Sequence, residues 1–304
     1  MIILFFLALA LSNHSEPHLL NNASGLSQSF QQKCLTLLPV ESENHSALTS
    51  IVCGEKLTDQ KLKQNLVKTS LIHIFVISGS HLILLDELLA LLRVPFYLRF
   101  LLTGIYTLAV GWQPPAVRAL IALGLRGTFK KLRWHFSSDT LTLIAGGSTL
   151  ALFPEWWSSS SLLMSWCAAL ALSWSSLLDI KNKIHRVLFN QCAVFIFMCA
   201  PLWGLSALHP LALLYNLLLA PLVSYLLLPL GLLAMIVPYF VVAFDFVMSA
   251  FAVLLNWVAE PISTGTAKQI SLSTLWFWIF AWQVFFHFLR LRLKQGRDSA
   301  WLGS

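Results

Sequence analysis

The sequence predicts an all-α fold: a polytopic bundle of membrane helices, some of them broken or half-length, preceded by a short extracytoplasmic N-terminal region. Three observations predict it. Of 304 residues, 57% are hydrophobic and 11% charged, with a mean hydropathy of +0.74, against about 25% charged residues in soluble domains. The apolar runs are long and continuous rather than alternating in units of about 10 residues, so they read as helices and not as barrel strands. Basic clusters follow alternate apolar segments, which is the pattern of a chain crossing a bilayer back and forth.

Nine apolar segments lie near 71–93, 97–111, 114–126, 137–153, 157–177, 185–203, 208–236, 239–258 and 273–289. Arg93 and Arg99 follow the first, "FKKLRWH" (Phe129 to His135) the third, "DIKNKIHR" (Asp179 to Arg186) the fifth and "RLRLKQGR" (Arg290 to Arg297) the ninth. Strict alternation puts all four groups on one side. The positive-inside rule makes that side the cytoplasm, the N-terminal region extracytoplasmic and the C-terminus cytoplasmic. The net charge of +7 is accounted for in the same way.

Taken in order, residues 1–11 are a signal h-region or a short uncleaved membrane anchor, and both readings stay open. Residues 12–68 are polar and mixed. "NNASGLSQSFQQK" and "PVESENHS" read as loops. Cys34 and Cys53 fall here; outside the cytoplasm they are expected to form a disulfide, the alternative being two unpaired thiols. Closing a loop of this size stabilises by about 3 kcal/mol in the chain-entropy model. Cys167, Cys192 and Cys199 lie in apolar segments and read as small hydrophobes.

Residues 69–289 form the transmembrane domain, and 290–304 a basic cytoplasmic tail. Within the domain, Pro114 to Arg126 is only 13 residues, about 20 Å of helix against a hydrocarbon core of about 30 Å. Its Pro114-Pro115 start suits the first turn of a helix. The segment 208–236 carries Pro210, Pro221 and Pro229, which predict a kink or break. Short or Pro-interrupted membrane segments are where transport sites form.

Three stretches could carry function. The run "SLIHIFVISGSHLILLDELL" (Ser70 to Leu89) is apolar enough to span a bilayer, yet holds His73, Ser78, Gly79, Ser80 and His81. A helix is expected to start near Ser80 or His81 with Ser80 as its N-cap, and a helix N-terminus attracts anions. The competing reading is close packing of the small residues against a neighbouring helix. In "GWQPPAVRALIALGLRG" (Gly111 to Gly127), Arg118 places a charge in an apolar helix. That costs at least about 2.5 kcal/mol unless it meets protein or water. It either lines a cavity that suits phosphate or pairs with Asp86 or Glu87. In the Pro-rich segment, Asn216 either bridges helices or lines a path.

No Walker A, GxSxG, HExxH or HxHxDH motif is present, and no Cys/His spacing suggests zinc. Neither a cofactor nor enzymatic chemistry is therefore expected. "SGSH" puts Ser78 near His81, but no third group or oxyanion donor accompanies them. A Ser/His membrane hydrolase, a small-molecule or ion transporter and a scaffold remain as competing readings.

Four stretches together resemble the ComEC family of bacterial competence proteins: "ALTSIVCGEKLTD" (Ala47 to Asp59), "HIFVISGSHL" (His73 to Leu82, similar to that family's "HLLAISGLHV"), "GWQPPAVRALI" (Gly111 to Ile121) and "HPLALLYNLLLAPLVSYLLLPLGLL" (His209 to Leu233). They cover roughly residues 47–235. Ser80 stands where most relatives have an apolar residue, and Pro115 where many have serine. The outer region is too short for the family's OB-like domain and the chain ends soon after its last span. A minimal form is therefore expected, without that domain and without the metallo-β-lactamase-like domain. The resemblance implies a channel in the bacterial cytoplasmic membrane that passes single-stranded DNA inward. His73, Ser78, Gly79, Ser80, His81, Arg118 and Asn216 would lie along the path. An outer DNA receptor and a cytoplasmic DNA motor are implied as partners, and an oligomer is compatible with it.

Overall fold

The computed structural model describes residues 18–75, 79–175, 182–205, 211–260 and 270–302. The chain opens with α1 (His18–Leu37), α2 (His45–Cys53) and α3 (Gln60–Lys68). "NNASGLSQSFQQK", expected as a loop, instead lies within α1. Ser27, Gln31, Cys34 and Leu38 recur at helical spacing, and of these Ser27, Cys34 and Leu38 are buried. Polar side chains at helical spacing give hydropathy no signal, so this face is stabilised by tertiary contacts. "PVESENHS" is a loop up to Asn44, as expected. Helix α2 is buried from Ala47 to Cys53. Asp59 caps α3 by accepting the backbone N–H groups of Lys61 and Leu62 at 2.9 and 3.0 Å. Cys34 and Cys53 form a disulfide with a Cα–Cα distance of 5.9 Å, tying α1 to the end of α2.

Beyond residue 71 the helices follow the nine expected segments. The first is divided into α4 (Ile72–Phe75) and α5 (Gly79–Leu91); then come α6 (Phe96–Ala109), α7 (Pro114–Lys131), α8 (Ser138–Leu152), α9 (Ser160–Ser175) and α10 (Lys183–Leu205). The Pro-rich segment is α11 (Ala212–Leu222), one π-helical turn (Val223–Leu227) and α12 (Leu228–Ile236); α13 (Phe240–Ala259) and α14 (Leu272–Leu302) follow. The π turn lies between Pro221 and Pro229, whose missing N–H groups open the ladder there. Pro210 is outside the described residues.

Two lengths differ from expectation. Helix α14 continues to Leu302, past the expected end near 289. Helix α7 has 18 residues, not 13, and so is about 27 Å long. Its final residues, Lys130 and Lys131, are polar enough to escape a hydropathy search but suit the negative end of the helix dipole. Among the described residues, three helical stretches are long and apolar enough to cross a membrane: Lys183–Leu202, Leu213–Ile236 and Phe240–Ala259. Shorter apolar helices surround them. Large side chains such as Leu101 on α6 and Val242, Phe246 and Trp257 on α13 are exposed, as lipid-facing side chains must be.

Two apolar cores organise the bundle. One joins α8, α9, α10 and α14 through aromatic rings: Trp174 stacks on Phe286 at 5.1 Å and Trp157 on Trp276 at 4.1 Å. The other joins the N-terminal helices to the Pro-rich segment and α13. Leu48, Ile51, Leu66 and Phe75 pack with Val223, Leu227, Phe244, Met248 and Leu255. Asp245, a lone acid within α13, fastens this union. It accepts Ser42 Oγ at 2.7 Å and the backbone N–H groups of Glu43 and Asn44 at 3.1 and 3.2 Å.

Candidate functional site

The start of α5 meets the start of α7. Pro114-Pro115 opens α7 as expected, following Gln113, because proline fixes the right φ and has no N–H to waste. Residues Pro115 to Ala119 are all buried. Gly79, the first residue of α5, lies against them. A Cβ there would stand 3.1 Å from Arg118 Nη2, 3.1 Å from Ala119 Cβ and 3.3 Å from the Pro115 carbonyl. Glycine is thus needed for close approach, which is the packing role weighed from the sequence. His81 and Leu82 are buried on the same side; Leu82 joins Val110, Ala116 and Ala119 in a small apolar cluster.

Arg118 is 4% exposed. Its Nε donates to Ser165 Oγ of α9 at 3.1 Å, and it forms no ion pair among the described residues. The pairing with Asp86 considered from the sequence is not made: Asp86 lies 3.5 Å from Arg99 Nε. The guanidinium is therefore held by a neutral hydroxyl beside the positive N-terminal ends of α5 and α7. This gathers positive potential without a compensating carboxylate among the described residues.

The expected N-cap role of Ser80 is not observed. Helix α5 already includes Gly79, so Ser80 sits inside the first turn, with its side chain exposed. Ser78 lies outside the described residues. His73 on α4 and Asn216 on α11 are brought together around a second feature. They line a cavity of about 30 Å³ with Gln191, Val194, Phe195, Met198, Leu202 and Leu213. That is room for about one or two waters among polar groups. The seven candidates thus do not form a single described cluster: Gly79, His81 and Arg118 gather at the α5–α7 junction, and His73 and Asn216 at the cavity.

The junction is also tied to the disulfide. Gln113, just before α7, donates Nε2 to the Gly54 carbonyl at 3.2 Å, and Gln31 donates to the Cys53 carbonyl at 3.0 Å. Ser27 Oγ donates to the Leu108 carbonyl of α6 at 2.8 Å. The disulfide-bearing segment therefore braces the loop that launches Arg118. Sequence reasoning missed Ser165, Gln191, Gln113 and Asp245. Only Asp245 carried a clear signal, as the single acid in a 20-residue apolar helix.

Comparison with known proteins agrees with these features. No solved structure matches the chain. The uncharacterized protein MG316 of Mycoplasma genitalium is 27% identical over 183 residues, covering 57% of this chain and 48% of that relative. The chain thus spans about half the length of that relative. A family model described as "Competence protein" matches residues 51–296, a span that takes in α3 to α13 and includes both the α5–α7 junction and the His73–Asn216 cavity. The chain, a polytopic helical membrane protein, therefore belongs to the competence (ComEC) family.

Proposed function

We propose that this protein passes single-stranded DNA across the cytoplasmic membrane, with Arg118 as a phosphate contact. Membership of the competence family supports a role in DNA uptake. The observation that carries the finer reading is the buried Arg118 guanidinium, which among the described residues has a neutral hydroxyl and no carboxylate for company. Such a charge costs several kcal/mol unless an anion or water compensates it. DNA carries one phosphate per nucleotide and cannot enter hydrocarbon unaided. Arginine meets phosphate in a planar, bidentate geometry, and two helix N-termini add to the attraction. The His73–Asn216 cavity supplies a second polar point.

On this reading the protein performs no bond chemistry. No nucleotide-binding motif is present in its sequence, so the driving force comes from a partner such as a cytoplasmic DNA motor, with an outer receptor delivering the strand. The test is uptake of labelled DNA in a naturally competent host. Deletion is expected to leave DNA outside the membrane with no single strands in the cytoplasm. Normal cytoplasmic entry in the deletion strain would reject the channel. Arg118→Ala, expressed at the wild-type level, is expected to lower uptake on the order of tenfold or more. Full uptake by that variant would reject the phosphate role and leave the channel standing.

A further inference from the structure

We propose that the ends of α5 and α7 and the start of α6 form a docking site for the headgroup of an anionic phospholipid. The inference is independent of the reading of Arg118.

Both α5 and α7 end in the same way, as α3 does at Ser70. Arg93 and Arg133 each have φ of +58°, a left-handed conformation that glycine adopts freely and that costs other residues about 1–2 kcal/mol. The two turns close with matching bonds. Arg93 N–H meets the Ala90 carbonyl at 3.0 Å and Val94 N–H the Leu89 carbonyl at 3.0 Å. Arg133 N–H meets the Lys130 carbonyl at 3.2 Å and Trp134 N–H the Phe129 carbonyl at 2.9 Å. Glycine would close both turns at lower cost. The backbone of these turns does not itself call for arginine at either place, and the two cations are spaced by the turns rather than required by them.

The end of α7 adjoins the start of α6, three residues after Arg93. The Phe96 ring fills the space over Gly127 so closely that a Cβ there would overlap it. Next to it, Lys131 Nζ donates to the Tyr97 hydroxyl at 2.9 Å and stands 5.6 Å from the ring centre. Arg93, Arg126, Lys130, Lys131 and Arg133 are all exposed around this contact. Of the acids nearby, Asp86 is taken up by Arg99, and Glu87 lies further back along α5. Trp134 and Phe136 are exposed beside the cations, and Phe129 packs on Phe136 at 4.8 Å.

The direction this patch faces selects the occupant. Tyr97, Leu101 and Ile105 form one stripe along α6 and are 67%, 57% and 40% exposed. The stripe is apolar beyond Tyr97, as a lipid-facing surface is. Lys131 therefore stands at the water-side end of a lipid-facing surface, not within the bundle. Aromatic side chains mixed with cations at the end of membrane helices mark headgroup depth. An anionic phospholipid fits both halves: its phosphate meets Arg93, Lys131 and Arg133, and its acyl chain follows Leu101 and Ile105.

The test uses the purified full chain in detergent, with bound lipid counted by native mass spectrometry during titration with phosphatidylglycerol or phosphatidylcholine. The wild type is expected to retain phosphatidylglycerol preferentially. Arg93→Gly/Arg133→Gly keeps both turns and is expected to weaken that retention roughly fivefold for each charge removed. Phosphatidylcholine binding should not change. Should the glycine pair fail to fold, Arg93→Asn/Arg133→Asn also tolerates the left-handed turn and replaces it. Undiminished phosphatidylglycerol selectivity in the folded double variant would overturn the proposal. So would displacement of the lipid by an oligothymidylate whose own binding is lost in the same variant, which would assign the surface to nucleic acid.

Discussion

Arg118→Lys keeps a positive charge but loses the planar fork that reaches Ser165, so it separates charge from geometry. Uptake between that of wild type and Arg118→Ala is the expected result if phosphate is contacted in a bidentate way. Gly79 tests the same junction from the other helix. Gly79→Val would push branched carbons against Arg118, Ala119 and the Pro115 carbonyl, all already within 3.3 Å of a single added Cβ. It is expected to cost about 1–3 kcal/mol and to lower uptake, with a reduced melting temperature in detergent as the check. Arg118 was legible in the sequence because a lone charge in an apolar helix demands a partner. Ser165 was not, because one serine on an apolar helix has no spacing that reveals what it faces 47 positions away. Ser80 misled, since a serine at the end of an apolar break looks like a cap, whereas the helix already includes Gly79.

The helices of the second half were readable because a bilayer leaves the backbone no alternative to internal hydrogen bonding, so hydropathy and structure coincide. The prolines of 208–236 predicted a kink or break without placing it, and the π turn falls between Pro221 and Pro229. Hydropathy failed for α1, whose inner face is built from Ser27, Gln31 and Cys34, and for the end of α7, whose last turn is basic. In both, packing or electrostatics holds residues that hydropathy scores as loop. The disulfide spans 19 positions, and Cys34→Ser is expected to remove about 3 kcal/mol of stability. The loss should appear as a lower melting temperature that reductant no longer changes. Because Gln31 and Gln113 hydrogen-bond to the Cys53 and Gly54 carbonyls, the variant is also expected to loosen the α6–α7 turn, measurable as faster amide exchange at Gly111 and Trp112. Asp245→Ala strips three donors of their acceptor and is expected to cost about 2 kcal/mol. A melting temperature equal to wild type would show that water replaces the carboxylate.

At the scale of the whole molecule, the N-terminal region, the Pro-rich segment and α13 share one core, which no local pattern announces. Composition and charge alternation were enough to predict a membrane bundle. They carried no information on which helices touch, because every apolar face is equally attracted to lipid and to protein. The contacts of Ser42, Glu43 and Asn44 with Asp245 join residues 201 to 203 positions apart. A ribosome therefore finishes α2 and α3 long before it makes the helix that anchors them. During that interval Leu48, Ile51 and Leu66 lack their α13 neighbours Phe244, Met248 and Leu255, and that side of the nascent segment must shelter in the lipid or the insertion machinery. A chain halted at Ile236 would keep most of its hydrophobic spans yet leave its first helices without their clasp. Shortened versions of this protein are therefore expected to be degraded rather than to survive as half-bundles.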